Sequence, residues 1–150
     1  METKNRTLVN QLEEILEKNR DAQKGYAKAA ENAKDQNLKA YFENKSRERS
    51  TFNQTLNKEL VASYDEIETE GSFTGSLHRG WMDIKAFFSA DNDESMLEEA
   101  IRGDKAAVEE YEDVLDDKDL PANVASIIRE QLIKIRTDLN KVKSMEDLVD

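Results

Sequence analysis

Asn19, Glu48, Asp104 and Gln131 interrupt the otherwise apolar inward faces of four helical segments, one in each. Carboxylates and amides facing one another across a helical bundle can hold a hard divalent cation, or two carboxyls can share a proton. His78 and Trp81, the only His and the only Trp of the chain, stand three positions apart in "SLHRGWMDIKAFFS" and form a second candidate. An imidazole there could carry a proton or ligate a metal, but it has no second His to work with. Leu77, Trp81, Ile84 and Phe88 recur at helical spacing beside it, so the pair reads as a structural anchor: a packed Trp with His78 hydrogen-bonded at the edge of the apolar face.

The segments that position these residues follow from hydrophobic periodicity. The first, about 5–33, steps by fours and threes through Leu8, Leu12, Ile15, Asn19, Ala22, Tyr26, Ala29 and Ala33. "KDQN" breaks it, and Asp35 suits the N-cap of the second segment, about 36–68. There Leu38, Tyr41, Phe42, Phe52, Leu56, Leu60 and Tyr64 mark one face, with Glu48 falling on it. "ETEGSFTGS" is a loop by composition, and a short helix is predicted over about 76–89. Asp91 or Asp93 can cap a third segment, about 94–117, whose inward residues are Leu97, Ile101, Asp104, Val108, Tyr111 and Leu115. Pro121 suits the first turn of a fourth, about 121–143, with Val124, Ile128, Gln131, Ile135 and Val142 inward and an acidic tail, "SMEDLVD", expected to fray.

An internal repeat relates the halves. "LEEILEKNRDAQKGY" (12–26) and "LEEAIRGDKAAVEEY" (97–111) match at both ends, placing Asn19 against Asp104 and Tyr26 against Tyr111. A shorter match, "LNK" at 56–58 and 139–141, sets Glu48 against Gln131. Two related hairpins make a four-helix bundle. Residues 69–93 are too many for a tight loop. Part helix and part extended chain, they can span roughly 50 Å, enough to return along a thirty-residue helix of about 45 Å. One long crossover of this kind leaves the second and third long helices parallel.

Composition narrows the function classes. The 150 residues make one ordinary domain, with five Gly and one Pro in a chain that is 37% charged. A formal charge of −11 disfavours nucleic acid and anionic membrane surfaces as partners. No Cys is present, which excludes disulfides and thiol chemistry. The first residues show no signal-peptide pattern and no segment has the length of a membrane span, so a cytoplasmic location is expected. No nucleophile–base pair, phosphate-binding Gly loop or cofactor motif supports ordinary enzymology.

The repeat, the crossover and "LHRGWMD" together resemble the ferritin-like superfamily. "NRDAQKGYAKAAENAKDQNLKAYF" and "GSLHRGWMDIKA" are most similar to the small bacterial family known as domain of unknown function 2383. That resemblance implies a stand-alone, all-α, ferritin-like four-helix bundle over 1–150 and lends no activity. The seven-residue spacing of Asn19 to Tyr26 and of Asp104 to Tyr111 is also similar, more distantly, to rubrerythrin-like proteins, where a glutamate ligand precedes a tyrosine. A di-metal carboxylate site needs Glu from two helices and Glu-x-x-His from the other two. Here the positions read Asn19, Glu48 with Thr51 in place of His, Asp104, and Gln131 with Lys134. Two carboxylates without an imidazole would leave two divalent ions under-neutralised, and His78 alone cannot supply two Glu-x-x-His pairs.

The four polar residues are therefore expected to meet in one hydrogen-bonded layer, with Arg47, Arg49 or Lys134 curling inward and a proton shared between Glu48 and Asp104. The function expected is non-catalytic, without a di-iron site or cofactor, acting through self-association or docking of a protein partner near Phe73, Met82 and Phe87. The alternative is binding of iron or another divalent cation, such as Mg²⁺ or Mn²⁺, at a degenerate carboxylate site of Glu48 and Asp104 with Asn19 and Gln131.

Overall fold

Among the described residues, seams that step by threes and fours, almost without Gly or Pro, wind into four α-helices: α1 (Glu2–Asn32), α2 (Gln36–Ser63), α3 (Asp93–Leu115) and α4 (Ala122–Val149). The computed structural model describes residues 2–64 and 92–149, with side chains at 7–64 and 92–144. Among the described residues no strand is present. The short helix expected at 76–89, with His78, Trp81, Met82 and Phe87, lies outside them, as does Phe73.

The ends of the helices show how the chain turns. Asp35 is the N-cap of α2, its carboxylate accepting from Asn37 N at 3.3 Å. At α3 the N-cap is Asn92, which accepts from Ser95 N at 2.8 Å, rather than Asp91 or Asp93. Asp93 instead reaches the α1–α2 turn and accepts the backbone N–H groups of Lys34 and Asp35, each at 2.9 Å. Pro121 stands just before α4, where its carbonyl accepts from Ala125 N and its missing N–H loses nothing. The tail expected to fray is helical through Val149, since "SMEDLV" carries neither Gly nor Pro to stop it.

Residue pairings fix the direction of each helix. Arg49 with Asn19, Ser46 with Gln23 and Lys39 with Ala30 run α2 against α1. Asn19 with Tyr111 and Tyr26 with Asp104 run α3 against α1. α2 and α3 are therefore parallel to one another. Packing joins α1 to α2, α2 to α4, α4 to α3 and α3 to α1, which sets α2 and α3 on opposite corners of the bundle.

All eight inward positions predicted for α1 are buried. In α3 the prediction holds for Leu97, Asp104 and Tyr111, but the alternate rungs are Ala100, Ala107 and Val114, with Ile101, Val108 and Leu115 only half-buried. The same rungs result from carrying the α1 seam forward by the repeat offset of 85, from Ile15, Ala22 and Ala29. The core is divided. One apolar cluster contains Leu8, Leu12, Ile15, Leu56, Val114 and Ile128, and a second contains Ala22, Tyr26, Phe42, Leu97, Ala100 and Val142. Between them lies a polar layer.

Candidate functional site

The α2 seam runs Leu38, Phe42, Lys45, Arg49, Asn53, Leu56, Leu60, every step three or four residues, and each of these side chains is buried. Its middle is polar, at the gap between the two apolar clusters. Arg49 is 0% exposed and projects across the bundle toward α3. Its Nη2 donates to Asp104 Oδ1 at 2.6 Å and its Nη1 to Asn19 Oδ1 at 2.6 Å. Lys45 Nζ donates to Asp104 Oδ2 at 3.0 Å and to Asp138 Oδ2 on α4 at 3.2 Å. Tyr26 OH adds a third donor to Asp104 at 3.0 Å. A buried carboxylate is thus met on both oxygens by charge-assisted bonds, the arrangement that burial of an ion requires.

The layer continues through neutral groups. Asn19 Nδ2 donates to Tyr111 OH at 2.9 Å, Tyr111 OH donates to Gln131 Oε1 at 2.7 Å, and Gln131 Nε2 donates to the Phe52 carbonyl at 3.1 Å. The repeat appears here as exchange: the residue at the Asn19/Asp104 position bonds the tyrosine of the other half, Asn19 to Tyr111 and Asp104 to Tyr26. The second pair of helices exchanges similarly, Lys45 reaching Asp138 while Gln131 reaches Phe52. That pairing corresponds to an offset of 86, from 45 to 131 and from 52 to 138, so Gln131 is the counterpart of Lys45 and not of Glu48.

Glu48 sits at the border of this layer. Its side chain is 12% exposed, and Oε2 lies 3.5 Å from Lys45 Nζ. The carboxyl it meets is Asp138, not Asp104 as expected, because Asp104 is already enclosed by Arg49, Lys45 and Tyr26. Burial and the hydrogen bond to Asp138 push the Glu48 pKa from 4.5 to about 7, against the pull of Lys45. For Asp138, burial opposes the charge, but the bond from Glu48 and the nearby cations Lys45 and Lys134 outweigh it and lower its pKa. Below about pH 7 the shared proton therefore resides on Glu48 rather than on Asp138. Formally, Arg49 and Lys45 then balance Asp104 and Asp138. Burial, then the neighbouring Asp104 charge, raises Tyr26 well above its ordinary pKa, and burial pushes Tyr111 up to about 12, so both phenols keep their protons as donors.

Of the residues predicted for the site, Asn19, Asp104 and Gln131 share the network, Arg49 curls inward, and Arg47 and Lys134 remain exposed. Lys45 and Asp138 were not anticipated. The signal for both is register: Lys45 completes the α2 seam between Phe42 and Arg49, and Asp138 fills the α4 step between Ile135 and Val142.

The donor set does not suit a di-metal centre. Arg49 and Lys45 place two fixed positive charges on the carboxylate that would be the metal's central ligand. Among the described residues no group of three or more His, Asp or Glu side chains comes together to hold a metal ion. Outside the layer, a cavity of about 460 Å³ opens between α2 and α4, with Lys45, Glu48 and Asp138 among its lining and Tyr41, Phe52, Arg47, Lys134 and Lys141 around them.

The model of one protein family, described as a domain of unknown function (DUF2383), matches residues 7–117. No curated protein matches the chain. The matched span contains Asn19, Tyr26, Lys45, Arg49, Asp104 and Tyr111, and ends before the α4 residues that complete the layer. No described helix is long and apolar enough to cross a membrane.

Proposed function

Because the chain belongs to this family of unknown function, DUF2383, we propose a role from the geometry: a non-catalytic four-helix module that works by binding, with an interior closed by its own ions. One observation carries this. Asp104, fully buried at the centre, is held at 2.6 Å by Arg49 and at 3.0 Å by Lys45, so the space between the carboxylates is already filled with cations. Buried tyrosines that keep their protons, and an Asp104 carboxylate bonded on both oxygens, leave the centre of the layer little to offer a substrate. A degenerate metal site at Glu48 and Asp104 is disfavoured by the same contacts, since Lys45 lies between the two carboxyls.

Binding then falls to the surface. Among the described residues the exposed large hydrophobics are Val61 and Ile133, too few for a broad apolar docking face. On the described surface this favours a polar contact for partner or ligand over hydrophobic self-association. Elemental analysis of the protein purified without chelator, and again after incubation with ferrous iron, tests the proposal. Substoichiometric metal in both samples is expected; two irons per chain would overturn it.

A further inference from the structure

We propose that the cavity between α2 and α4 is a binding site for a small organic carboxylate, a monoanion with a compact apolar body. The inference rests on the module's acting by binding, and names what it binds.

Charge distribution is the first support. The chain carries −11, yet Arg47, Lys134 and Lys141 converge on the rim of this one cavity. All three are exposed, and none is in an ion pair among the described residues; Arg47 Nη2 donates only to the neutral side-chain carbonyl of Asn44. Three cations outside ion pairs, of which Lys134 also acts on Asp138, make a local minimum for a small anion on an acidic protein. The surrounding negative field opposes long polyanions, whose charge would extend beyond the cavity. At the floor, Lys45 and the Glu48–Asp138 pair are engaged with one another, so the attraction comes from the rim.

Shape is the second. The volume, about 460 Å³, falls in the range of roughly 300–1,000 Å³ typical of small-molecule sites. The rings of Tyr41 and Phe52 and the aliphatic stems of Lys134 and Lys141 provide apolar wall, while Asn44 and Thr51 provide hydrogen-bonding groups. An inorganic anion would leave that wall unused, and a neutral aromatic would leave the rim charges uncompensated. A divalent cation would face four positive side chains against two carboxyls, Glu48 and Asp138, that Lys45 already engages.

NMR titration of the ¹⁵N-labelled full chain with sodium benzoate, at neutral pH and constant ionic strength, tests the site. Acetate supplies the charge without the body, benzyl alcohol the body without the charge, and inorganic phosphate a competing anion. Saturable shifts confined to amides of residues 41–52 and 134–141 are expected, with acetate, benzyl alcohol and phosphate each weaker by about tenfold or more. The K134Q/K141Q protein, altered only at exposed positions, should keep its helical circular dichroism and cooperative unfolding and bind benzoate about tenfold more weakly. Shifts that never saturate, that scatter over the surface lysines or that persist unchanged in K134Q/K141Q overturn the site, and so does tighter binding of phosphate. Iron content measured on the same sample reports separately on the closed interior. A metal-free protein indifferent to benzoate would sink the carboxylate site alone.

Discussion

Replacing Glu48 by Gln separates the proton from the side chain that carries it. Glu48 is faced by Lys45 and Arg49 from its own helix and by Asp138, with Lys134 beside it, from α4. In the folded protein it releases its proton near 7, whereas an unfolded chain releases it near 4.5. Between these values the folded state holds more protons, so stability falls as pH rises through the window and stays at the lower level above it. Each pKa unit corresponds to about 1.4 kcal/mol, which gives roughly 3–4 kcal/mol as an upper figure for the loss. Asp138 acts in the opposite sense. Its lowered pKa adds stability that is present above its unfolded value and is lost as pH falls through the folded one. The amide introduced by E48Q would keep a neutral donor toward Asp138 at every pH. Urea unfolding followed by circular dichroism between about pH 5 and 8 should therefore show wild type losing stability while E48Q stays nearly level, with the variant the more stable at pH 8. Whatever His78 contributes is common to both and cancels in the difference. Parallel curves for the two proteins, or a Glu48 carboxyl resonance titrating near 4.5, would refute the shared-proton assignment.

Two further substitutions probe the layer. Arg49→Met strips a donor from each of Asp104 and Asn19 in a fully buried setting, and chemical denaturation should show a loss of about 3–5 kcal/mol; in R49M/D104N the loss should be smaller than the sum of the single effects. Tyr111→Phe leaves Asn19 Nδ2 and Gln131 Oε1 without their shared partner, so a loss of about 1–3 kcal/mol is expected with the helical circular dichroism unchanged.

How far the residues announce this arrangement varies by helix. In α1 the spacing is unambiguous because every inward step but Asn19 is apolar, and each of those positions is buried. α3 is harder: Ile101, Val108 and Leu115 lie one residue beyond Ala100, Ala107 and Val114, and size favours the larger side chains although the repeat offset selects the smaller. α2 is where pattern reading fails. Lys45 looks like a surface residue because burying a cation is costly in isolation, and only the carboxylates of other helices, far away along the chain, make it favourable; Arg49, one of three cations expected to curl inward, is the one that does. Glu48, next to Arg49 and one helical turn from Lys45, takes their place on the predicted face. The partnership of Glu48 with Asp138 was illegible for the same reason: it depends on which carboxylate the buried cations have already claimed.

The buried ions are sorted by hairpin. Lys45 and Arg49 both belong to α1–α2, and Asp104 and Asp138 both belong to α3–α4. In a chain built from two related halves, each hairpin could in principle dimerise with its own kind, within one molecule's neighbour or on a fragment. With Glu48 protonated, two first hairpins would bring four cations together away from water, and two second hairpins four carboxylates. Only the unlike match cancels, so the polar layer works as a mating code that tells each half of a near-symmetric protein which half is the other.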